Sequence, residues 1–277
     1  MSRLEQRFAE LRAKERSAFV PFITAGDPDI ETSLEILRRL PEIGADAIEV
    51  GVPFSDPMAD GPAIQASSTR ALNAGMSVNG TLKMVTRFRT ENSKTPIVLM
   101  GYYNPIHAYG VRRFVSDAKT AGIDGLIIVD LGPEEDDELL DCANSAGIDI
   151  VRLATPTTDD ARLPTVLKGA GGYLYYVSVA GVTGTKEVPE AEVCAAVRRI
   201  KKSTDLPCAV GFGIRTPEQA AAIAKIADAA IVGSAIVSLI GDRARSGASK
   251  GKIVSETLSF CRSLAEAVHN ARDSAPV

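Results

Sequence analysis

The residues of this chain that could do chemistry are few, and their spacing narrows the choice. Between Glu49 and Pro62 lie three acids, Glu49, Asp56 and Asp60, and three prolines, Pro53, Pro57 and Pro62. Two carboxylates near one loop can share general acid and base work if their surroundings hold their pKa values near the working pH. Ala47-Ile48-Glu49-Val50 reads as a strand, so Ala47 and Glu49 share one face and Ile48 and Val50 the other. If the large aliphatics face covering helices, Glu49 points inward, where an unpaired glutamate is expensive. The plainer readings are a structural ion pair for Glu49 and an ordinary turn at Asp60-Gly61. Further along, Gly211-Phe212-Gly213 and Gly233-Ser234 each follow an apolar run. Backbone N–H groups reach an anion only where no Cβ intrudes, and a helix N-terminus favours negative charge, so these two loops point to phosphate. In Ser178–Lys186, Gly181 and Gly184 frame Val182-Thr183, which suits a lid that moves or simply a long loop.

Other chemistries are disfavoured by what is scarce. His107 and His269 are the only two histidines, too few for the usual zinc or iron sites. No metal is therefore expected. No lysine ends a strand in the inward register, which disfavours a Schiff-base aldolase. Cys142, Cys194, Cys208 and Cys261 form no C-x-x-C pair, and the N-terminus lacks an apolar signal segment. Both features predict free thiols in a reducing cytoplasm. With 31 basic and 35 acidic side chains the net charge is −4, which argues against nucleic acid or an anionic membrane as partner. Aromatics are 5% with no tryptophan, so base-stacking platforms are not expected. No apolar run reaches the ~18 residues of a membrane span.

These residues need a scaffold, and its elements are legible as a repeat. Apolar runs recur at Ala18–Thr24, Ala47–Val50, Pro96–Met100, Gly125–Val129, Ile148–Leu153, Tyr173–Val177, Pro207–Val210 and Ala229–Val232. Helical patterns separate them at Ile30–Leu40, Thr81–Arg89, Val111–Ala121, Glu134–Ala146, Glu190–Lys201 and Pro217–Ile226. Eight strands alternating with helices predict an α/β fold, a single (β/α)8 barrel filling residues 1–277 as one domain. A doubly wound sheet is the alternative, but no G-x-G-x-x-G follows the first strand. Leu4, Phe8 and Leu11 share one face of an extra N-terminal helix, and a last helix is expected near Lys252–His269. Arg243–Lys250 reads as a mobile surface loop. Asp27 is expected to cap the second helix with Pro28 in its first turn, and Thr216-Pro217-Glu218-Gln219 is a capping box. In such a barrel the loops after the strands carry the active site. Phe22, Tyr102, Ile127, Leu153, Tyr175 and Phe212 fall near strand ends, as barrel core or as an apolar slot beside the phosphate. The residues thus predict a small phosphorylated substrate handled by two acids.

Taken in order, Pro21–Pro28, Glu49 through Asp60-Gly61-Pro62, Gly181-Val182-Thr183-Gly184 and Gly211-Phe212-Gly213 resemble the tryptophan synthase alpha chain family. The run Pro53-Phe54-Ser55-Asp56-Pro57-Met58-Ala59-Asp60-Gly61-Pro62 is the most specific part. The resemblance implies cleavage of indole-3-glycerol phosphate to indole and glyceraldehyde 3-phosphate. It matches Glu49 and Asp60 to the two catalytic carboxylates and Tyr175 to a supporting hydroxyl. Thr183 and Gly184 match the lid, and Gly213, Gly233 and Ser234 match phosphate contacts. Phe22, Tyr102, Ile127, Leu153 and Phe212 would line the indole slot. The resemblance also implies a beta chain as partner, in a heterotetramer of two alpha and two beta chains. That beta chain would hold pyridoxal phosphate, and this chain would need no cofactor. Pro53, Asp56 and Asn104 match positions that face it. Gly132-Pro133 departs from the pattern, since many members carry that proline one position earlier. Another sugar-phosphate isomerase, or a phosphate-binding subunit without catalysis, would fit the residues alone.

Overall fold

The computed structural model describes residues 1–177, 190–211 and 213–272. Phe212 and the expected lid, with Thr183 and Gly184, lie outside the described residues. In chain order the elements are α1 (Arg3–Ala13), β1 (Ala18–Thr24), α2 (Ile30–Arg39), β2 (Ile48–Gly51), α3 (Pro62–Asn73), α4 (Val78–Arg89) and β3 (Ile97–Gly101). Then come α5 (Tyr103–Tyr109), α6 (Val111–Ala121), β4 (Gly125–Ile128), α7 (Asp137–Ala146), β5 (Asp149–Ile150), β6 (Arg152–Ala154) and α8 (Leu163–Leu167). The rest are β7 (Leu174–Val177), α9 (Glu190–Ile200), β8 (Cys208–Gly211), α10 (Pro217–Ile226), β9 (Ala229–Val232), α11 (Ser234–Arg245) and α12 (Lys250–His269).

All strand pairs are parallel, in the order β5-β4-β3-β2-β1-β9-β8-β7-β6. β5 and β6 are the two parts of one expected strand, split at Val151, so the sheet closes on itself as a barrel of eight staves. The split is a partner change: Asp149 and Ile150 pair with β4, whereas Arg152–Ala154 pair with β7.

Two apolar layers follow from strand alternation. Ala47, Val98, Ile127, Val151, Tyr173, Tyr175, Ala209 and Ile231 fill the barrel interior. Ile48, Val50, Leu99, Leu126 and Val232 pack outward against the helices. α1 stoppers the interior: Leu4, Phe8 and Leu11 are buried in it, and the Phe8 ring lies 5.7 Å from that of Tyr173. Each such side chain contributes roughly 1.5–3 kcal/mol by leaving water. Ser2 and Glu5 close a reciprocal capping box, and Ser2 Oγ also donates to Asp149 at 2.7 Å, which fixes the helix across the foot.

Three expectations change. α11 runs on to Arg245, so the expected surface loop shrinks to residues 246–249 between two helices. Asp29, not Asp27, caps α2, because Asp27 is taken by Arg70. α7 starts at Asp137, three residues after the expected start, since 133–135 form a turn and Glu134 and Asp136 face arginines. α3, α5 and α8 were not expected.

Candidate active site

Glu49 sits in β2 opposite Phe22 of β1 and Val98 of β3, its side chain inward as alternation requires. It is 1% exposed. Its one described hydrogen bond comes from the Tyr173 hydroxyl, which donates to Oε1 at 2.5 Å. Burial pushes the Glu49 carboxyl up to about 7, and the Tyr173 bond opposes that only in part. No cation neutralises it among the described residues, so the ion-pair reading of Glu49 is not met. Tyr173 was missed in the sequence, where it reads as one more aromatic of a buried strand. Tyr175, two residues on and on the same face, is also buried; its ring lies over Gly211, where a Cβ would collide with its hydroxyl.

Asp60 lies at the end of the long loop after β2, one residue before the Gly61 cap of α3. Pro62 fixes the first turn of that helix, where its missing N–H costs nothing. Tyr102, expected to line the slot, has a further role here. Its hydroxyl donates to Asp60 Oδ2 at 3.0 Å and accepts from the Ala59 N–H at 3.0 Å. Partial burial raises the Asp60 carboxyl to about 6, with the Tyr102 bond opposing. The two acids thus sit near neutrality for the same physical reason. The Phe54 ring packs 5.3 Å from that of Tyr102, closing the loop onto the mouth.

Phe22 is fitted between glycines. A Cβ on Gly51 would come within 2.5 Å of its ring, and one on Gly233 within 3.3 Å of its Cβ. Ile127 is fully buried and Leu153 half-buried, both on the inner face. At the other side of the mouth, Gly233 is the cap of α11 and Ser234 its first residue. Gly213 has a φ of +80°, and a Cβ there would meet nothing within 4 Å among the described residues. Those residues leave room beside it, as an anion cradle requires. Gly213→Val would put a branched side chain into that space from a left-handed backbone. It is expected to weaken binding of a phosphate ester while leaving binding of free indole unchanged; calorimetry with both ligands reads this, and equal losses would refute it.

The loops are tied to one another beneath the mouth. Arg70 of α3 grips buried Asp27 with two bonds, at 2.6 and 2.8 Å, and its guanidinium fills the notch left by Gly241 of α11. Thr24 and Ser67 share a 2.6 Å bond between β1 and α3. The capping box at Thr216 and Gln219 forms as expected. His107 lies on α5, its ring 5.7 Å from that of Tyr103.

Residues 8–269 match the family model described as tryptophan synthase alpha chain. The chain is 38% identical to tryptophan synthase subunit alpha from Legionella pneumophila str. Paris, covering 97% of this chain and 98% of that one with a TM-score of 0.89. Against tryptophan synthase from Mycobacterium tuberculosis the identity is 35%, over 97% and 98% of the two chains, with a TM-score of 0.87. A structure from Aquifex aeolicus VF5 is 34% identical over 97% and 100%, with a TM-score of 0.87. With two acids held near neutrality at the mouth of a barrel, the chain belongs to the tryptophan synthase alpha chain family, lyases that cleave indole-3-glycerol phosphate to indole and glyceraldehyde 3-phosphate.

Proposed function

We propose that Glu49 and Asp60 carry this cleavage between them as a proton shuttle and a charge partner. Protonated Glu49 gives its proton to C3 of the indole ring, which turns the ring nitrogen into a cationic iminium. Ionised Asp60 accepts the ring N–H and stabilises that charge. Glu49, now a carboxylate, takes the proton of the hydroxyl next to the ring. The O–H electrons form the aldehyde C=O, the C–C pair flows into the ring, and neutral indole leaves. Glu49 ends protonated, as it began. The observation that carries this reading is that two inward acids at one mouth are both raised toward neutral, to about 7 and about 6, each held by a tyrosine hydroxyl.

Phosphate is assigned to Gly213, Gly233 and Ser234, with Thr183 and Gly184 as the lid. Phe22, Ile127, Leu153 and Phe212 form the slot, Tyr102 positions Asp60, and Tyr175 packs beside Glu49. The chain works as one unit in the cytoplasm and needs no cofactor of its own. Its partner is a beta chain holding pyridoxal phosphate, in an assembly of two alpha and two beta chains.

The test is the pH profile of kcat/KM for indole release, which reports groups of the free enzyme. The productive form has Asp60 ionised and Glu49 protonated. Activity should therefore rise through about 6 and fall through about 7, a narrow bell. Asp60→Asn should abolish the acid limb and Glu49→Gln nearly all turnover. A flat profile over this range would exclude the pair.

A further inference from the structure

The barrel wall has a seam. β4 is joined to β5 at Gly125 opposite Asp149 and Leu126 opposite Ile150, and the Val151 N–H then donates to the Leu126 carbonyl at 2.9 Å. Beyond that bond β6 turns to β7, and no backbone hydrogen bond joins β6 to β4 among the described residues. Two ion pairs span the gap instead. Asp136 and Arg152, both buried, approach to 2.5 Å, and Glu134 pairs with Arg162 at the surface.

A cavity of about 640 Å³ opens in this seam. Val129 and Leu153 reach it from the inner face of the barrel, and Ile128 and Ile150 from the outer face. Its lining therefore draws on both faces of the wall. Thr155 and Thr157 line its upper end, and the buried Nε of Arg152 has no hydrogen-bond partner among the described residues.

Position around the barrel decides what could enter. The seam lies between the fourth stave, β4, and the fifth, split into β5 and β6. The eighth stave, β9, stands across the barrel from β4 and leads into Gly233 and Ser234. With phosphate held there, as in the reading above on which this inference rests, the substrate runs across the mouth past Glu49. Its far end is the six-membered edge of the indole ring, and that edge faces Val129 and Leu153.

We propose that the seam is a specificity subsite that takes substituents on the six-membered ring of the substrate's indole. A methoxy or chloro group passes between Val129 and Leu153 and lodges against Leu139, Ile150 and Val166, beside the Asp136–Arg152 pair and beneath the two threonines. No rearrangement of the barrel ladder is needed, because no ladder bond crosses the gap.

The test compares kcat/KM for indole-3-glycerol phosphate with that for its methoxy analogue substituted on the six-membered ring. Wild-type protein should cleave both with values within about fivefold of each other, a smaller gap than a closed pocket imposes. Thr157→Trp, at an exposed position on the rim, and Thr155→Phe fill the cavity away from the reacting atoms. Each should leave the unsubstituted substrate within about twofold and cut the methoxy analogue at least about 10-fold. Leu153→Ala, which widens the passage, should shift the ratio the other way. The proposal is overturned if wild-type protein rejects the analogue more than about 100-fold, or if neither filling variant changes the ratio. Failure to cleave even the unsubstituted substrate would instead refute the reaction assigned to Glu49 and Asp60.

Discussion

Glu49→Gln is expected to lower lyase turnover by at least about 10²-fold, the usual loss when general acid–base help is removed. The amide keeps the size of the carboxyl and can still meet Tyr173, so substrate binding and fold should persist. The same variant should be more stable than wild type above neutrality, and the sign follows from linkage. Glu49 in the folded chain titrates near 7, against an ordinary value of 4.5. Its folded form holds a proton that the unfolded chain has lost, so stability falls as pH rises from 4.5 through about 7. Near pH 8 the buried charge costs about 3 kcal/mol, which Gln does not carry. Thermal melts of the two proteins should therefore coincide near pH 4 and differ by roughly 6 °C near pH 8. Unchanged turnover, or melts that differ equally at both pH values, would show that Glu49 is neither the shuttle nor desolvated.

A large rise in lyase activity on adding the beta chain is the second expected result. Asp60 is held by its loop, and that loop is held by few bonds. Tyr102 accepts from Ala59 and donates to Asp60, and it caps α5 two residues before Asn104. Asn104 and Asp56 are exposed, and Met58 is 80% exposed, an unusual display for a large apolar side chain. Pro53, by contrast, is buried in the isolated chain. A partner docked on Asp56, Met58 and Asn104 would restrain both ends of the Tyr102–Asp60 contact without touching substrate. Activation of at least about 10-fold corresponds to a population shift of roughly 1.4 kcal/mol, well within the range of allosteric coupling. Linkage then requires a phosphate-ester analogue to tighten partner binding by the factor by which the partner tightens the analogue. Titration of the chain with beta chain, with and without analogue, measures both. Full activity without the beta chain, or an affinity indifferent to the analogue, would mean that the loop is already set.

The staves were legible because strands covered on both faces are nearly all apolar, and such runs stand out between amphipathic helices. Glu49 was legible for the same reason: one acid among aliphatics, in the register of Ala47. What could not be read depends on residues far apart in sequence. The break at Val151 is a change of partner from β4 to β7, invisible within Ile148–Leu153 itself. Asp27 resembles a helix cap until Arg70, 43 positions later, claims it. Tyr173 looks like core because it is core; only the inward register shared with Tyr175 hints that a hydroxyl there would face Glu49. Tyr102 was placed at the slot by its strand end, but its bond to Asp60 rests on how the preceding loop folds back.

The helical stopper at the foot sets a schedule for the nascent chain. Leu4, Phe8 and Leu11 leave the ribosome long before their neighbours Tyr173 and Ala229. Ser2 waits for Asp149, and β1 waits for β9, with Ala18 opposite Ala229. Contacts of such long sequence separation are slow to form, because the loop they close must be ordered before they reward it. During synthesis the apolar face of α1 and one edge of β1 therefore stay unsatisfied until the last stave is made. Such surfaces are the ones that bind chaperones or aggregate. The interior is stoppered only when the ring is complete, and the burial of Glu49 is completed with it, so the raised pKa of that carboxyl is a property that no fragment of the chain possesses.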